Sequence, residues 1–212
     1  MSGLDDKNDE HNDAKPSTGY HVARARNGDR EGFAQLYERL APSLDAWACV
    51  RVTGTLRDFI EPCDIVQEVW WRAMDAFDRY DPKNSCFRQW MFRIATNVLL
   101  EWNRKRRRKI RIEPSSLAQR TESLPPELAR QATSVGRGLA KRESVKMLVA
   151  LVAAMSEEDR AVFVQCGLEG KKSAEAALLV GDSDAAVKKR WSRLREKLSV
   201  HPIWREFDPS EV

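Results

Sequence analysis

The stretch SCFRQWMFRIATNVLLEWNRKRRRK, Ser85 to Lys109, constrains the fold more than any other part of the chain. Phe87, Met91, Ile94, Ala95, Val98 and Trp102 recur at the three- and four-residue spacing of one helix face, which marks a buried stripe. Gln89, Arg93, Thr96, Asn97 and Arg104 fall on another face, where Leu100 is the one poor fit. The helix runs straight into a cationic strip: between Arg104 and Arg111 every residue except Ile110 is basic. Aromatic rings beside a cationic strip suit a nucleic acid. Stacking a base on a ring contributes ~1–3 kcal/mol, comparable with the few kcal/mol that extruding a base from a duplex costs. Lys105, Arg106 and their neighbours can neutralise phosphates, while Arg93, Asn97 and Arg104 can reach base edges or backbone. The turn YDPKNS ahead of the helix, with Asp81, Lys83, Asn84 and Ser85, is expected to hold an unstacked base together with the aromatics at the helix start, Phe87 among them.

The same period organises the segment before that turn. In DIVQEVWWRAMDAF, Val66, Val69, Trp70, Ala73, Met74 and Phe77 form one apolar stripe, so this too is an amphipathic helix. Asp64, Gln67, Glu68, Trp71 and Asp75 share a different side, which places a tryptophan among acids and an amide. Such a face suits a partner protein, because aromatic residues anchor interfaces and surrounding charges set register. The competing arrangement tucks Trp71 sideways into the core.

Helical patterns of this kind dominate and no run alternates as strands do, so the predicted fold class is all-α. Two helical domains joined by a flexible linker are expected, divided as an acidic disordered tail (1–18), a first domain (19–112), a linker (113–143), a second domain (144–200) and a C-terminal tail (201–212). The linker reading rests on EPSSLAQRTESLPPELARQATSVGRG, with its three prolines, small polar residues and two glycines. In the second domain Ser156 is a helix cap followed by Glu157, Glu158 and Asp159, acids that complement the helix dipole. That helix should stop near Gly167 to Gly170; KSAEAALLVG then gives a short helix ending at Gly181, and another begins after Ser183. Helix, glycine-containing turn and helix form the helix-turn-helix plan. Val187, Trp191, Leu194 and Leu198 make the inner face of the last helix, leaving Lys188, Lys189, Ser192, Arg193 and Arg195 outside. A recognition helix offers its first half to the major groove, which also brings in Ser183, Asp184 and Ala185.

Charge supports a polyanionic partner. The formal net charge is only +4, but it averages an acidic front end against the two basic helices, and two separate patches suggest one polyanion held at two places. Taken singly, either patch also fits a solvated helix face. Four cysteines form no CxxC pair and the three histidines lie near the ends, away from any cysteine, so metal-ligand spacing is missing and buried thiols are expected. The longest apolar stretch, Met147 to Met155, is far short of the ~20 residues a membrane span needs. The acidic amino terminus has no apolar segment of the signal-peptide kind. A cytoplasmic protein without cofactor is expected.

The two domains in this order resemble the extracytoplasmic-function (ECF) sigma factors of the sigma-70 family. DIVQEVWWRAMDAF is similar to the segment that docks on RNA polymerase, FRQWMFRIATNVLLEWNRKRRR to the helix that reads and opens the minus-ten element, and the stretch from LVAAMSEEDR to WSRLREKL to the module for the minus-thirty-five element. The resemblance implies that Asp64, Gln67 and Glu68 contact the clamp helices of core RNA polymerase, to which the side-chain pattern adds Trp71. It implies that the turn from Asp81 to Ser85 cradles a flipped base, that Arg93, Asn97 and Arg104 lie along promoter DNA, and that Lys188, Lys189, Ser192 and Arg193 meet the upstream element. An anti-sigma factor masking the docking surface is implied as well. Asp182, Lys172 and Trp191 depart from the family's usual residues, and the acid at 182 could either repel phosphate or cap the recognition helix.

Other classes remain to be separated by experiment. A helix-turn-helix regulator working without polymerase would bind duplex tightly on its own, and an RNA-binding or structural helical protein would support no promoter-dependent transcription. A nucleic-acid enzyme would need a metal site, phosphate loop or acid–base pair, none of which the sequence displays.

Overall fold

The computed structural model describes residues 17–109 and 143–201, together with Trp204 and Phe207. Helix α1 (Thr18–Arg26) starts where the Ser17 hydroxyl accepts the Tyr20 N–H at 3.3 Å, and α2 (Arg30–Arg51) where Asp29 accepts the Glu31 N–H at 2.9 Å. Short polar side chains thus satisfy donors that the first helical turn leaves open. Helix α3 (Pro62–Ala76) carries Pro62 at its first position, where the missing N–H costs nothing. A 3-10 turn (Phe77–Arg79) and the loop through Cys86 lead to α4 (Phe87–Lys109). The second group holds α5 (Glu143–Ala153), α6 (Glu157–Val162) continuing as a π-helical turn (Phe163–Leu168), α7 (Ser173–Val180) and α8 (Asp184–Ser199). No strand occurs among the described residues, nor any helix long and apolar enough to cross a membrane.

The stripes read from sequence are the buried faces. Val66, Val69, Trp70, Ala73 and Phe77 of one stripe, and Phe87, Met91, Ala95, Val98 and Trp102 of the other, are buried, while Met74 and Ile94 of the same stripes are half-buried. The caps are also where local chemistry puts them: Ser156 accepts the Asp159 N–H and Ser183 the Ala186 N–H, both at 3.2 Å. Gly181 ends α7 in the left-handed region (φ +74), which glycine enters without steric cost.

Helix α2 is the axis of the molecule. Eight successive residues, Ala41 to Ala48, are buried. Because each residue turns the chain by about 100°, eight in a row point in every direction, so this part of the helix is enclosed on all sides. α1, α3 and α4 cover part of it, and α5 with the π-helical turn covers the rest. Both helical groups therefore contribute to one continuous apolar cluster.

One expectation needs correction, and the C-terminal tail read at 201–212 carries two packed rings: Trp204 is 6% exposed and Phe207 fully buried. Trp204 packs 6.2 Å from Phe163 and 6.1 Å from Trp191, between ring centroids. The cysteines, expected to be buried, are not uniformly so: Cys166 is buried, Cys49 and Cys63 are half-buried, and Cys86 is exposed because it ends the polar loop ahead of α4. Burial pushes the Cys49 and Cys166 thiols up to about 11, so neither is a ready nucleophile. The acidic front end, 1–16, and the linker, 110–142, lie outside the described residues.

Candidate nucleic-acid interface

One side of α3 faces the outer half of α4 through a charged network. The Arg72 guanidinium donates to both carboxylate oxygens of Glu101, at 2.8 and 2.7 Å, and through Nε to Glu68 Oε1 at 3.1 Å. Glu68 Oε2 accepts the Trp102 indole N–H at 3.1 Å. Bonding to Glu101, then to Glu68, holds the Arg72 cation well above its ordinary pKa. Of the four residues expected to meet a protein partner, only Asp64 is exposed; its carboxylate also accepts the Glu61 N–H at 3.4 Å. Gln67 and Trp71 are half-buried. Glu68, expected on the outward face, is tied into the α3–α4 junction. Glu68→Ala is expected to cost about 1–3 kcal/mol by stranding the indole N–H and one side of Arg72. A thermal melt beside Asp64→Ala checks this, since the latter should melt within about 0.5 kcal/mol of the parent.

The loop from Asp81 to Ser85 is ordered by its own side chains. Asp81 Oδ1 accepts the Lys83 N–H and Oδ2 the Asn84 side-chain amide, both at 3.0 Å. Asp81, Lys83 and Asn84 are exposed, and the half-buried Ser85 offers its carbonyl to the Tyr80 hydroxyl at 3.1 Å. Phe87 requires correction. It is 3% exposed, with its ring 5.6 Å from those of Tyr80 and Trp90 and 6.2 Å from Phe77. Sharing the face of Met91, it turns into the core and has no ring surface to offer a base. The aromatic cluster supports the loop from below, with only Trp90 of its rings half-buried.

Along the outer side of α4, Arg93, Asn97, Arg104 and Lys105 are exposed. Arg106 is half-buried and donates to the Thr55 hydroxyl, while the Lys105 ammonium sits 4.5 Å from the centre of the Trp102 ring. Asn97, Leu100 and Arg104 line a groove of about 340 Å³ against Arg72. Leu100, the misfit in the sequence pattern, is 48% exposed there. The end of the cationic run, 110–111, lies outside the described residues.

Helix α8 places its side chains as the sequence divides them. Val187, Leu194 and Leu198 are buried and Trp191 is half-buried, while Ala185, Lys188, Lys189, Ser192, Arg193 and Arg195 are exposed. The Ser183 hydroxyl is occupied in capping. Asp182 folds back to accept the Ser183 N–H at 2.7 Å, so the acid rigidifies the entry to the helix. Asp159, which sequence reasoning treated only as a dipole complement, accepts Arg190 at 2.9 Å and Arg193 at 3.3 Å and fastens α6 to α8.

Two cationic helix faces thus lie on one chain, one of them in a helix-turn-helix. The Sigma-70 region 2 family matches residues 36–109, and the Sigma-70, region 4 family matches residues 146–198. The chain belongs to the sigma-70 family, in its ECF group. It is 32% identical over 202 residues to ECF RNA polymerase sigma factor SigG of Mycobacterium tuberculosis, which covers 87% of this chain and 51% of SigG. RNA polymerase sigma factor CnrH of Cupriavidus metallidurans is 29% identical over 180 residues, 84% of this chain and 91% of CnrH. This chain thus spans about half the length of SigG and most of CnrH. Among solved structures, that of CnrH in complex with the cytosolic domain of CnrY matches with a TM-score of 0.43 and 23% identity, over 84% of this chain and 92% of that one.

Proposed function

We propose that this chain selects promoters for RNA polymerase. Its α3 face docks on the core enzyme, the Asp81–Ser85 loop and the outer side of α4 engage and help open the minus-ten element, and α8 reads the minus-thirty-five element. The observation that carries this reading is the pairing of two exposed cationic helix faces, Arg93/Asn97/Arg104/Lys105 and Lys188/Lys189/Ser192/Arg193, on the two units that match sigma-70 regions 2 and 4. Loop residues Asp81, Lys83 and Asn84 supply hydrogen-bonding groups for a captured base, and Ser85 closes the loop. Arg106, braced by Thr55, lies beside the phosphate path. The chain acts in the cytoplasm without a cofactor and makes no bond itself; bond formation belongs to the polymerase. An anti-sigma factor would work by covering the α3 face.

A gel shift on promoter duplex with and without core polymerase tests the reading. A stable, specific complex should need core, whereas a regulator working alone would shift the duplex unaided. Asp64→Ala is expected to weaken binding to core about five- to thirtyfold, the range of a single interface contact worth about 1–2 kcal/mol, with the circular dichroism melt unchanged. Equal affinity for parent and variant would remove Asp64 from the docking surface.

A further inference from the structure

The outer side of α4 carries one residue that neither the core nor the proposed function uses. Arg93, Asn97, Leu100 and Arg104 follow one another at steps of four, three and four residues, so they form a single row along the helix, and all four are exposed. Thr96 and Asn103, beside this row, turn back on their own helix: the Thr96 hydroxyl donates to the Phe92 carbonyl at 2.9 Å and the Asn103 amide to the Leu99 carbonyl at 3.0 Å. The row therefore presents three polar groups and, among them, one apolar side chain. With Ala76 and Ile94, Leu100 forms the apolar part of the groove between α3 and α4.

A single exposed leucine is ordinary on a protein surface; the surroundings of this one select what it meets. Glu101, the acid on the groove wall, is bound at both oxygens by Arg72. Arg93 and Arg104 end the row, and the exposed Lys105, Arg107 and Arg108 extend its charge along the helix. A cationic row of this kind attracts phosphate, which favours DNA over an apolar protein surface.

On the major-groove edge of a base pair the apolar group is the thymine C5-methyl, while the other groups donate or accept hydrogen bonds. A helix held in that groove by its arginines thus has one kind of target for a leucine. At 1.5 Å per residue, Asn97 and Leu100 lie about 4.5 Å apart along the helix axis, close to the step of about 3.4 Å between base pairs. The two side chains therefore address neighbouring pairs, and adenine is the base whose N6 and N7 an asparagine can grip together.

We propose that Leu100 is a specificity-determining residue that packs on the methyl group of one thymine in the paired part of the minus-ten element, next to a base pair read by Asn97. The assignment rests on the promoter-selecting role proposed above.

The test uses core polymerase with the full chain on a promoter whose start site has been mapped. Each thymine of the minus-ten element, on either strand, is replaced singly by deoxyuridine, which removes the methyl and keeps every hydrogen-bonding group. At one position the parental complex should bind the deoxyuridine promoter about fourfold more weakly, the equivalent of about 0.8 kcal/mol for one methyl group returned to water. Leu100→Ala should bind the thymine promoter more weakly by at least that factor and no longer distinguish thymine from deoxyuridine at that position, with its melt unchanged. Leu100→Gln, of similar length but polar, should lose the discrimination as well. A minus-ten element in which no single methyl matters, or a deoxyuridine effect that persists undiminished in both variants, overturns the assignment. So does a Leu100→Ala chain that binds core more weakly in the absence of DNA, because the side chain would then lie against the polymerase. If the parental chain and core form no promoter complex on any fragment, the promoter-selecting role fails and the Leu100 assignment with it, an outcome distinct from a complex that forms but ignores the methyl.

Discussion

Phe207→Ala is expected to destabilise the chain by about 3–5 kcal/mol, the range for emptying a fully buried aromatic site. The ring has no exposed surface, and its neighbour Trp204 closes an aromatic group with Phe163 and Trp191. This group packs tightly against backbone: a Cβ at Gly167 would lie 3.0 Å from the Trp191 ring and 3.1 Å from the Phe163 ring. Ending the chain after Val200 removes both rings and should be worse, shifting the denaturant midpoint of the second unit below that of Phe207→Ala. The denaturant midpoint of each protein, with an unchanged m-value, is the measurement. A Phe207→Ala midpoint equal to the parent's would mean that the C-terminal segment is dispensable to the fold.

The second large effect concerns DNA. Lys188 and Lys189 are exposed on the outer face of α8, and neither has a carboxylate partner among the described ion pairs, whereas Arg190 and Arg193 share Asp159. Each lysine that neutralises a phosphate releases a counterion and contributes about 0.9 to the slope of log affinity against log salt. Lys188→Ala combined with Lys189→Ala should therefore flatten that slope by about 1.8 and weaken upstream-element binding uniformly across sequences. Arg193→Ala should behave differently, because its cation is already partly neutralised by Asp159 and its loss also loosens the α6–α8 junction. Polymerase binding by the double lysine variant should match the parent. An unchanged salt slope would take the lysines off the phosphate path, and equal loss of polymerase and upstream-element binding would undo the division of labour between α3 and α8.

What was legible in the sequence was local. The stripes on α3, α4 and α8 follow from a period of about 3.6 residues, and the Ser156, Ser183 and Gly181 boundaries follow from capping chemistry acting within four residues. What was not legible depends on residues far apart in the chain. Arg88 sits beside Phe87 and four residues ahead of Phe92, a position periodicity would reserve for an apolar side chain, and its carbonyl acceptors lie 79 and 80 residues onward. Glu169 meets Trp47 across 122 residues. Nothing in the neighbourhood of either residue announces the other, so a buried arginine reads as a surface one. Phe87 fails for a related reason: its place on the inner stripe was visible, but so was its closeness to a loop suited to bases, and only packing against Phe77, Tyr80 and Trp90 decides between them. Glu68 shares a helix side with Asp64, yet the Trp102 indole N–H, 34 residues away, draws it inward. Trp204 and Phe207 form too short a segment to display any period.

The proposed role of this chain is to give core RNA polymerase its choice of start site. Transcription reconstituted from purified core and purified chain on genomic fragments, with 5′ ends mapped, tests it most directly. Initiation is expected at discrete positions that share two upstream elements and that disappear when the chain is omitted. Initiation no more frequent and no more focused than that of core alone would contradict it.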